Sequence, residues 1–192
     1  MAHSLELLLD DSSDQQVRAE WDALAAAGLP HQGRVASPTN RPHVTLVAAS
    51  RIDGNADPAL AAVAMRLPVG MRLGAPIVFG GGRRSTLARL VVPSSELLSV
   101  HAQVSRLSAE FVDPEPADTA TASTDGRRMP FAHTTPGQWT PHVTLARRMD
   151  AEQLVRAFDI LDIRAEIVGE FTALRRWDPD AGTDVVLAGR AC

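Results

Sequence analysis

The fold is decided by two short stretches of sequence, residues 41–46 (RPHVTL) and residues 140–145 (TPHVTL), which share five consecutive residues, Pro-His-Val-Thr-Leu. Side chains alternate between the two faces of a β-strand. In each stretch the His and Thr therefore lie together on one face, and the Val and Leu lie on the other face, toward the core. The sequence predicts two matching strands that carry the pairs His43/Thr45 and His142/Thr144.

The elements around the two stretches follow the same order in each half of the chain. Each half runs strand, helix, His-bearing strand, helix and further strands. The predicted strands are residues 5–9, 43–49, 69–79, 87–92, 142–147, 165–174 and 185–188. A helix is predicted over residues 55–67, with Pro58 in its first turn. If an approximate two-fold axis relates the halves, the two His/Thr pairs face each other across a central groove.

Composition excludes several classes of function. The chain has 192 residues, of which 45% are hydrophobic and 22% charged, enough for one domain with a substantial core. Its net charge of -4 argues against the broad basic surface that binds long duplex nucleic acid. No apolar stretch has the length of a membrane span. The single cysteine, Cys192, cannot form an intrachain disulfide, which favours a reducing, cytoplasmic location.

Two matching His/Thr pairs suit the cleavage of a phosphodiester. Attack at phosphorus needs a base for the incoming water and an acid for the leaving oxygen, and histidine serves in either role because its pKa lies near ~6.5. The hydroxyls of Thr45 and Thr144 are candidate donors to the phosphate oxygens, where negative charge accumulates. This chemistry requires neither a metal nor a cofactor, and no residue spacing in the sequence is typical of a metal site.

The paired His-x-Thr-Leu motifs, in two similar halves of a chain of this length, resemble the 2H phosphoesterase superfamily, specifically its 2'-5' RNA ligase or LigT-like branch. The resemblance implies a bilobal α+β fold, in which antiparallel sheets line a central cleft and helices lie outside. It also implies cyclic phosphodiesterase activity, with His43 protonating the leaving oxygen and His142 accepting a proton from water. Thr45 and Thr144 correspond to the threonines that contact the phosphate.

We therefore expect residues 1–192 to form a single domain with halves of roughly 1–86 and 87–192, with or without an exchange of terminal strands between them. Arg147 is a third candidate for phosphate binding. Strand alternation turns it away from His142 unless the strand twists or bulges. The loop over residues 113–140 is either a lid over the ligand or a tolerated insertion.

Two functions remain open at this stage. The first is hydrolysis of a small cyclic-phosphate nucleotide or of a cyclic-phosphate RNA end by a monomeric enzyme, most simply of a 2',3'-cyclic phosphate to a 2'-phosphate, with ligation as the reverse reaction. The second is a nucleotide-binding module on the same fold that does not turn over its ligand. Retention of both histidines favours the enzyme, because binding alone does not need two acid/base groups.

Overall fold

The computed structural model describes residues 2–80, 83–113 and 130–190. In these residues strands and α-helices follow one another in an α+β arrangement, which confirms the predicted fold class. The strands are β1 (His3–Leu9), β2 (His43–Ala49), β3 (Val69–Phe79), β4 (Ser85–Val91), β5 (His142–Met149), β6 (Ile167–Asp178) and β7 (Thr183–Gly189). The α-helices are α1 (Asp11–Ala26), α2 (Asp57–Leu60), α3 (Ser95–Ser108) and α4 (Ala151–Ile160).

All seven strands belong to one antiparallel sheet, in which six follow the order β2-β1-β6-β3-β4-β5 and β7 pairs with β6 outside this order. The twelve-residue strand β6 joins the two parts of the sheet. One of its edges pairs with β1, while the other edge pairs with β3 over residues 167–171 and with β7 over residues 173–178. The sheet therefore divides at β6 into a part with β1, β2 and β7 and a part with β3, β4 and β5. The division of the chain into halves of 1–86 and 87–192 stays a prediction.

The point of division is marked by Gly189, the last residue of β7. Its backbone has a φ of 77°, and a Cβ at this position would lie 2.0 Å from the carbonyl oxygen of Thr172. Only glycine combines this backbone conformation with so close an approach. Gly189 therefore allows the pairing of β7 with β6 to end at Ala173, next to the residues of β6 that pair with β3.

The hydrophobic core lies on one face of the sheet. On β1 the side chains of Leu5, Leu7 and Leu9 belong to the core cluster, whereas Ser4 and Glu6 are buried on the opposite face. Helices α1 and α3 contribute Val17, Trp21 and Leu24, and Leu97, Val100 and Val104, to the same cluster. The opposite face of the sheet carries polar side chains, among them Ser4 and Glu6, beside smaller apolar contributions such as Leu8.

The predicted helix over residues 55–67 is helical in the structure up to Arg66, but it is α-helical over only part of this range. Only Asp57–Leu60 is α-helical, and it lies between the 3-10 turns Gly54–Ala56 and Ala61–Arg66. A helix this short gains little from cooperative hydrogen bonding, so packing against neighbouring elements decides its form. Leu67 is already extended, as expected of a residue that precedes a proline.

Part of the predicted loop over residues 113–140 lies outside the described residues, since residues 114–129 are not included. The described end of the loop packs against β2, where Phe131 N–H donates to the carbonyl oxygen of Ala48 (2.7 Å) and Ala48 N–H donates to Thr134 Oγ1 (3.2 Å). None of the described helices combines the length and the hydropathy needed to cross a bilayer.

Candidate active site

The two Pro-His-Val-Thr-Leu stretches form the beginnings of β2 and β5. In both strands the His and Thr are half-buried, while the following Val and Leu are fully buried in the core. Strand β1 runs beside β2, with Glu6 opposite Thr45 and Leu8 opposite His43. Strand β4 runs beside β5 in the same way, with Ala88 opposite Thr144 and Leu90 opposite His142. The predicted alternation of faces and the equivalence of the two strands are both present.

Each strand also contains a β-bulge at the same position of the motif. Between Leu5 and Glu6 the register with β2 moves from Val47 to Thr45, so Leu46 is the extra residue. Between Leu87 and Ala88 the register with β5 moves from Ala146 to Thr144, so Leu145 is the extra residue. A bulge bends a strand and reverses the side-chain alternation that follows it.

The bulge at Leu145 changes the orientation of Arg147. Leu145 and Ala146 are buried in succession, and Arg147 is then exposed and lines the same pocket as His142 and Thr144. Regular alternation along the strand predicts that the Arg147 side chain points away from His142. The bulge reverses the alternation, so Arg147 lies on the same face as His142.

The two histidine rings are fixed in the same way. Nδ1 of His43 lies 2.6 Å from the carbonyl oxygen of Arg41, and Nδ1 of His142 lies 2.7 Å from the carbonyl oxygen of Thr140. A carbonyl oxygen only accepts hydrogen bonds, so Nδ1 carries a proton in both rings. In each case Nε2 is the nitrogen that is left to exchange a proton.

Strands β2 and β5 are the first and the last strand of the main strand order, but they contact each other. Trp21 of α1 donates a hydrogen bond from Nε1 to the carbonyl oxygen of Thr144 (3.1 Å). Trp139, just before β5, donates from Nε1 to the carbonyl oxygen of Thr45 (2.8 Å). Each motif thus has its backbone held, beside the bulge, by a tryptophan from the other half of the chain.

His101 of α3 contacts the backbone of the first motif, and the sequence did not identify it as part of the site. Its ring stacks on Trp139 with centroids 3.9 Å apart, and its Nε2 lies 3.1 Å from the carbonyl oxygen of Leu46 and 2.8 Å from that of Thr134. Burial lowers the pKa of His101, against the effect of these backbone hydrogen bonds. A neutral ring therefore ties the bulge of β2 to the segment that carries Trp139.

A pocket of about 320 Å³ opens beside His142. Its lining combines the predicted site residues of the second motif with side chains that the sequence did not single out. The pocket is lined by Phe79, Thr86, His133, Gln138, Thr140, His142, Thr144 and Arg147. The Phe79 ring packs against the His142 ring, with centroids 4.5 Å apart and a tilt of 51°.

The pKa of His142 is lowered, first by burial and then by the positive charges of His43, Arg147 and His133. Its hydrogen bond to Thr140 acts in the opposite direction. His43 and Thr45 do not line this pocket, but the charge of His43 acts on His142 across the contact between β2 and β5. A neutral His142 is therefore favoured near neutral pH.

A buried ion pair lies beside His43. The Glu6 carboxylate is 3% exposed, accepts a hydrogen bond from Arg175 Nε (2.9 Å) and another from Ser4 Oγ (2.5 Å), and lies 3.5 Å from His43 Nε2. Burial by itself raises the pKa of Glu6, but the charges of His43 and Arg175 and both hydrogen bonds outweigh it, and the pKa is lowered. The available sequence signal was an acidic residue in the middle of a leucine-rich strand.

Among the described residues, one group of metal-ligand types comes together, formed by His3, Asp178 and Asp180. It lies at the turn between β6 and β7, and His3 is at the other end of β1 from Leu8, the partner of His43. The side chain of Asp178 already caps this turn, since it accepts hydrogen bonds from the backbone N–H groups of Asp180 and Ala181. The group is therefore separate from the two motifs.

The family model of the 2'-5' RNA ligase superfamily matches residues 13–183, most of the chain and both motifs. The chain belongs to the 2'-5' RNA ligase superfamily. The resemblance stated from the motifs is thereby confirmed. Among curated proteins none matches this sequence significantly.

Solved structures with a similar fold include Escherichia coli LigT complexed with 3'-AMP, at 14% identity and a TM-score of 0.51, with 98% of this chain and 94% of that chain covered. A crystal structure of a phosphoesterase has 14% identity and a TM-score of 0.50, with coverage of 99% and 95%. Kluyveromyces marxianus Usb1 has 12% identity and a TM-score of 0.47, with 97% of each chain covered. The LigT and phosphoesterase likenesses establish a fold of the 2H phosphoesterase type for nearly the whole chain.

Proposed function

We propose that this superfamily member is a metal-independent cyclic phosphodiesterase in which His43 and His142 supply the acid and the base. The proposal is carried by one observation. Two equivalent strands present a His/Thr pair each, and in both histidines a backbone carbonyl holds the proton on Nδ1 and leaves Nε2 for the reaction.

The proposed reaction opens the ring of a 2',3'-cyclic phosphate at its 3' oxygen. The oxygen of water forms a bond to phosphorus while Nε2 of His142 takes one of its protons. The bond from phosphorus to the 3' oxygen breaks, and that oxygen receives the proton on Nε2 of His43. The product is a 2'-phosphomonoester, and the histidines have exchanged protonation states.

The phosphate is held by the remaining members of the site. The hydroxyls of Thr45 and Thr144 lie on the same strand faces as the histidines and donate to the non-bridging oxygens. Arg147 adds a positive charge beside His142, so the substrate anion is attracted although the whole chain is acidic.

The pocket beside His142 favours a nucleotide as the source of that phosphate. Phe79 offers an aromatic face, and Gln138 and His133 offer hydrogen-bonding groups. LigT, which shares the fold, has been crystallised with 3'-AMP. Because one chain supplies both motifs, we further propose that the active form is a monomer.

A substrate screen in the presence of EDTA tests the proposal. The panel contains the four 2',3'-cyclic mononucleotides, a short RNA ending in a 2',3'-cyclic phosphate, and ADP-ribose cyclic phosphate. We expect release of a 2'-phosphomonoester, identified by phosphorus NMR, at a rate unaffected by EDTA. Turnover only after metal addition contradicts the mechanism. Binding of these ligands without turnover supports the nucleotide-binding module instead.

A further inference from the structure

The two halves of the site differ at one position next to the motifs. Glu6 of β1 lies opposite Thr45, and the equivalent position of β4, opposite Thr144, is Ala88. The strand beside the first motif therefore places a carboxylate near the histidine, whereas the strand beside the second motif places only a methyl group there. The approximate two-fold relation between the motifs is broken at this point.

The Glu6 carboxylate is held in place from several sides. Arg175 of β6 contacts it through Nε (2.9 Å) and through its terminal nitrogen (2.8 Å), and Ser4 donates to its other oxygen. Arg175 is itself fixed by the carboxylate of Asp184 on β7 (2.8 Å) and by the carbonyl oxygen of Thr39 (2.8 Å). Four elements of the chain thus fix the position of one buried carboxylate.

The cluster formed by Glu6, Asp184 and Arg175 carries a net negative charge unless His43 is protonated. Glu6 and Asp184 are two carboxylates, and both contact the single guanidinium of Arg175. The cluster keeps one negative charge in excess, and Oε1 of Glu6 lies 3.5 Å from Nε2 of His43. At such a distance, in a poorly hydrated site, opposite charges attract strongly. A proton on Nε2 of His43 supplies the missing positive charge.

The surroundings of His142 favour the opposite state. The positive groups Arg147 and His133 lie on its side of the site, and Ala88 offers no charge. The charged or titratable groups around His43 are Glu6 on β1, Arg175 on β6, His142 on β5 and Arg41 in its own segment. The guanidinium of Arg41 lies 3.7 Å from the carboxylate of Asp14 on α1. Of the groups around His43, the carboxylate of Glu6 is the one in contact with Nε2 of His43.

We propose that Glu6 is a positioning residue that keeps the proton on His43 and thereby makes His43 the acid and His142 the base. The proposal rests on the proposed function for the acid and base roles. It adds a residue outside both motifs that distinguishes two otherwise identical histidines.

The first experiment measures proton occupancy without any substrate. Histidine side-chain NMR of the full chain follows His43 and His142 between pH 4 and 9 in the wild type and in Glu6→Gln, which keeps the size and shape of the side chain but removes the charge. We expect His43 to lose its proton at a lower pH in Glu6→Gln than in the wild type, because the neighbouring negative charge is gone, with a much smaller change at His142. The control Glu166→Gln removes a carboxylate that pairs with Arg72 on the surface, and we expect no change there.

Asp184→Asn gives a second test should Glu6→Gln fold poorly. Asp184 is partly exposed, and its loss removes the excess negative charge while Glu6 keeps its partners. His43 should again lose its proton at a lower pH, by a smaller amount. Unchanged titration of His43 in both variants overturns the role of Glu6.

Kinetics then tests the consequence for catalysis. In the pH profile of kcat/KM with the substrate found above, the limb on the alkaline side reports loss of the proton from the acid. Glu6→Gln should move this limb to lower pH, reduce kcat at pH 8 more than it changes KM, and leave the acidic limb in place. An effect on KM alone, or a shift of the acidic limb, contradicts the assignment. Absence of turnover together with the NMR shift contradicts the proposed function and not the link between Glu6 and His43.

Discussion

The indole Nε1 of Trp139 donates a hydrogen bond of 2.8 Å to the carbonyl oxygen of Thr45. The two residues are far apart in sequence, and they join the loop before one motif to the bulge in the other. A bulge interrupts the ladder of backbone hydrogen bonds, so a carbonyl beside it needs another donor. The geometry of the first motif therefore depends on a side chain from the second half.

Replacement of Trp139 by Phe tests this link. Phe keeps an aromatic ring against His101 but removes the N–H, leaving the Thr45 carbonyl without this donor. We expect a loss of about 1–3 kcal/mol in the free energy of unfolding, measured by urea denaturation with an unchanged m-value. Trp177→Phe is the matched control, because no hydrogen bond of its indole is seen in the described part of the chain. Equal losses in both variants contradict the link.

Removal of either histidine ring should have a similar effect on turnover. His43→Ala and His142→Ala each delete one proton-transfer group, and we expect kcat to fall about 10²- to 10⁴-fold in each. Initial rates with the best substrate of the screen measure the effect, with circular dichroism as a check of folding. His31→Ala, in a loop outside both motifs, serves as the control. Full activity in either motif variant rules out the two-histidine mechanism.

The pH dependence of the rate follows from the lowered pKa of His142. As a base, His142 must be neutral, so activity appears as the pH rises through its pKa. Since burial and the neighbouring positive charges lower that pKa from 6.5, the rising limb of kcat/KM should lie below pH 6.5. A bell-shaped profile measured from pH 4 to 9 with EDTA present checks this. A rising limb above pH 6.5 is incompatible with His142 as the base.

Arg147 should contribute to phosphate binding only because of the bulge at Leu145. Arg147→Gln removes a charge from the pocket, and we expect KM to rise about 10- to 100-fold, as for the loss of a charged hydrogen bond. Steady-state kinetics at low ionic strength measures the effect. The neighbouring Arg148 does not line the pocket, so Arg148→Gln should change KM little. Similar changes in both variants indicate a general charge effect and contradict a direct contact.

The sequence alone predicted much of the fold. The bounds of β2 and β3 agree with the predicted residues 43–49 and 69–79. In the structure, Asp150 caps α4 through a reciprocal pair of hydrogen bonds with Gln153. These features depend on local patterns of apolar residues and on capping groups, which lie within a few positions of each other. The short helix over residues 57–60 deviates because packing, not local preference, determines so short an element.

Within the candidate site, local sequence determined the identity of the paired motifs and the face on which each His/Thr pair lies, because alternation along a strand is a property of the backbone. Tertiary structure alone decided the direction of Arg147 and the environment of each histidine. A bulge depends on how a strand pairs with its neighbour, and Glu6 meets Arg175 across 169 positions of the chain. No local pattern specifies that long-range pairing, so the charge that distinguishes His43 from His142 arises only when β1 and β6 lie side by side.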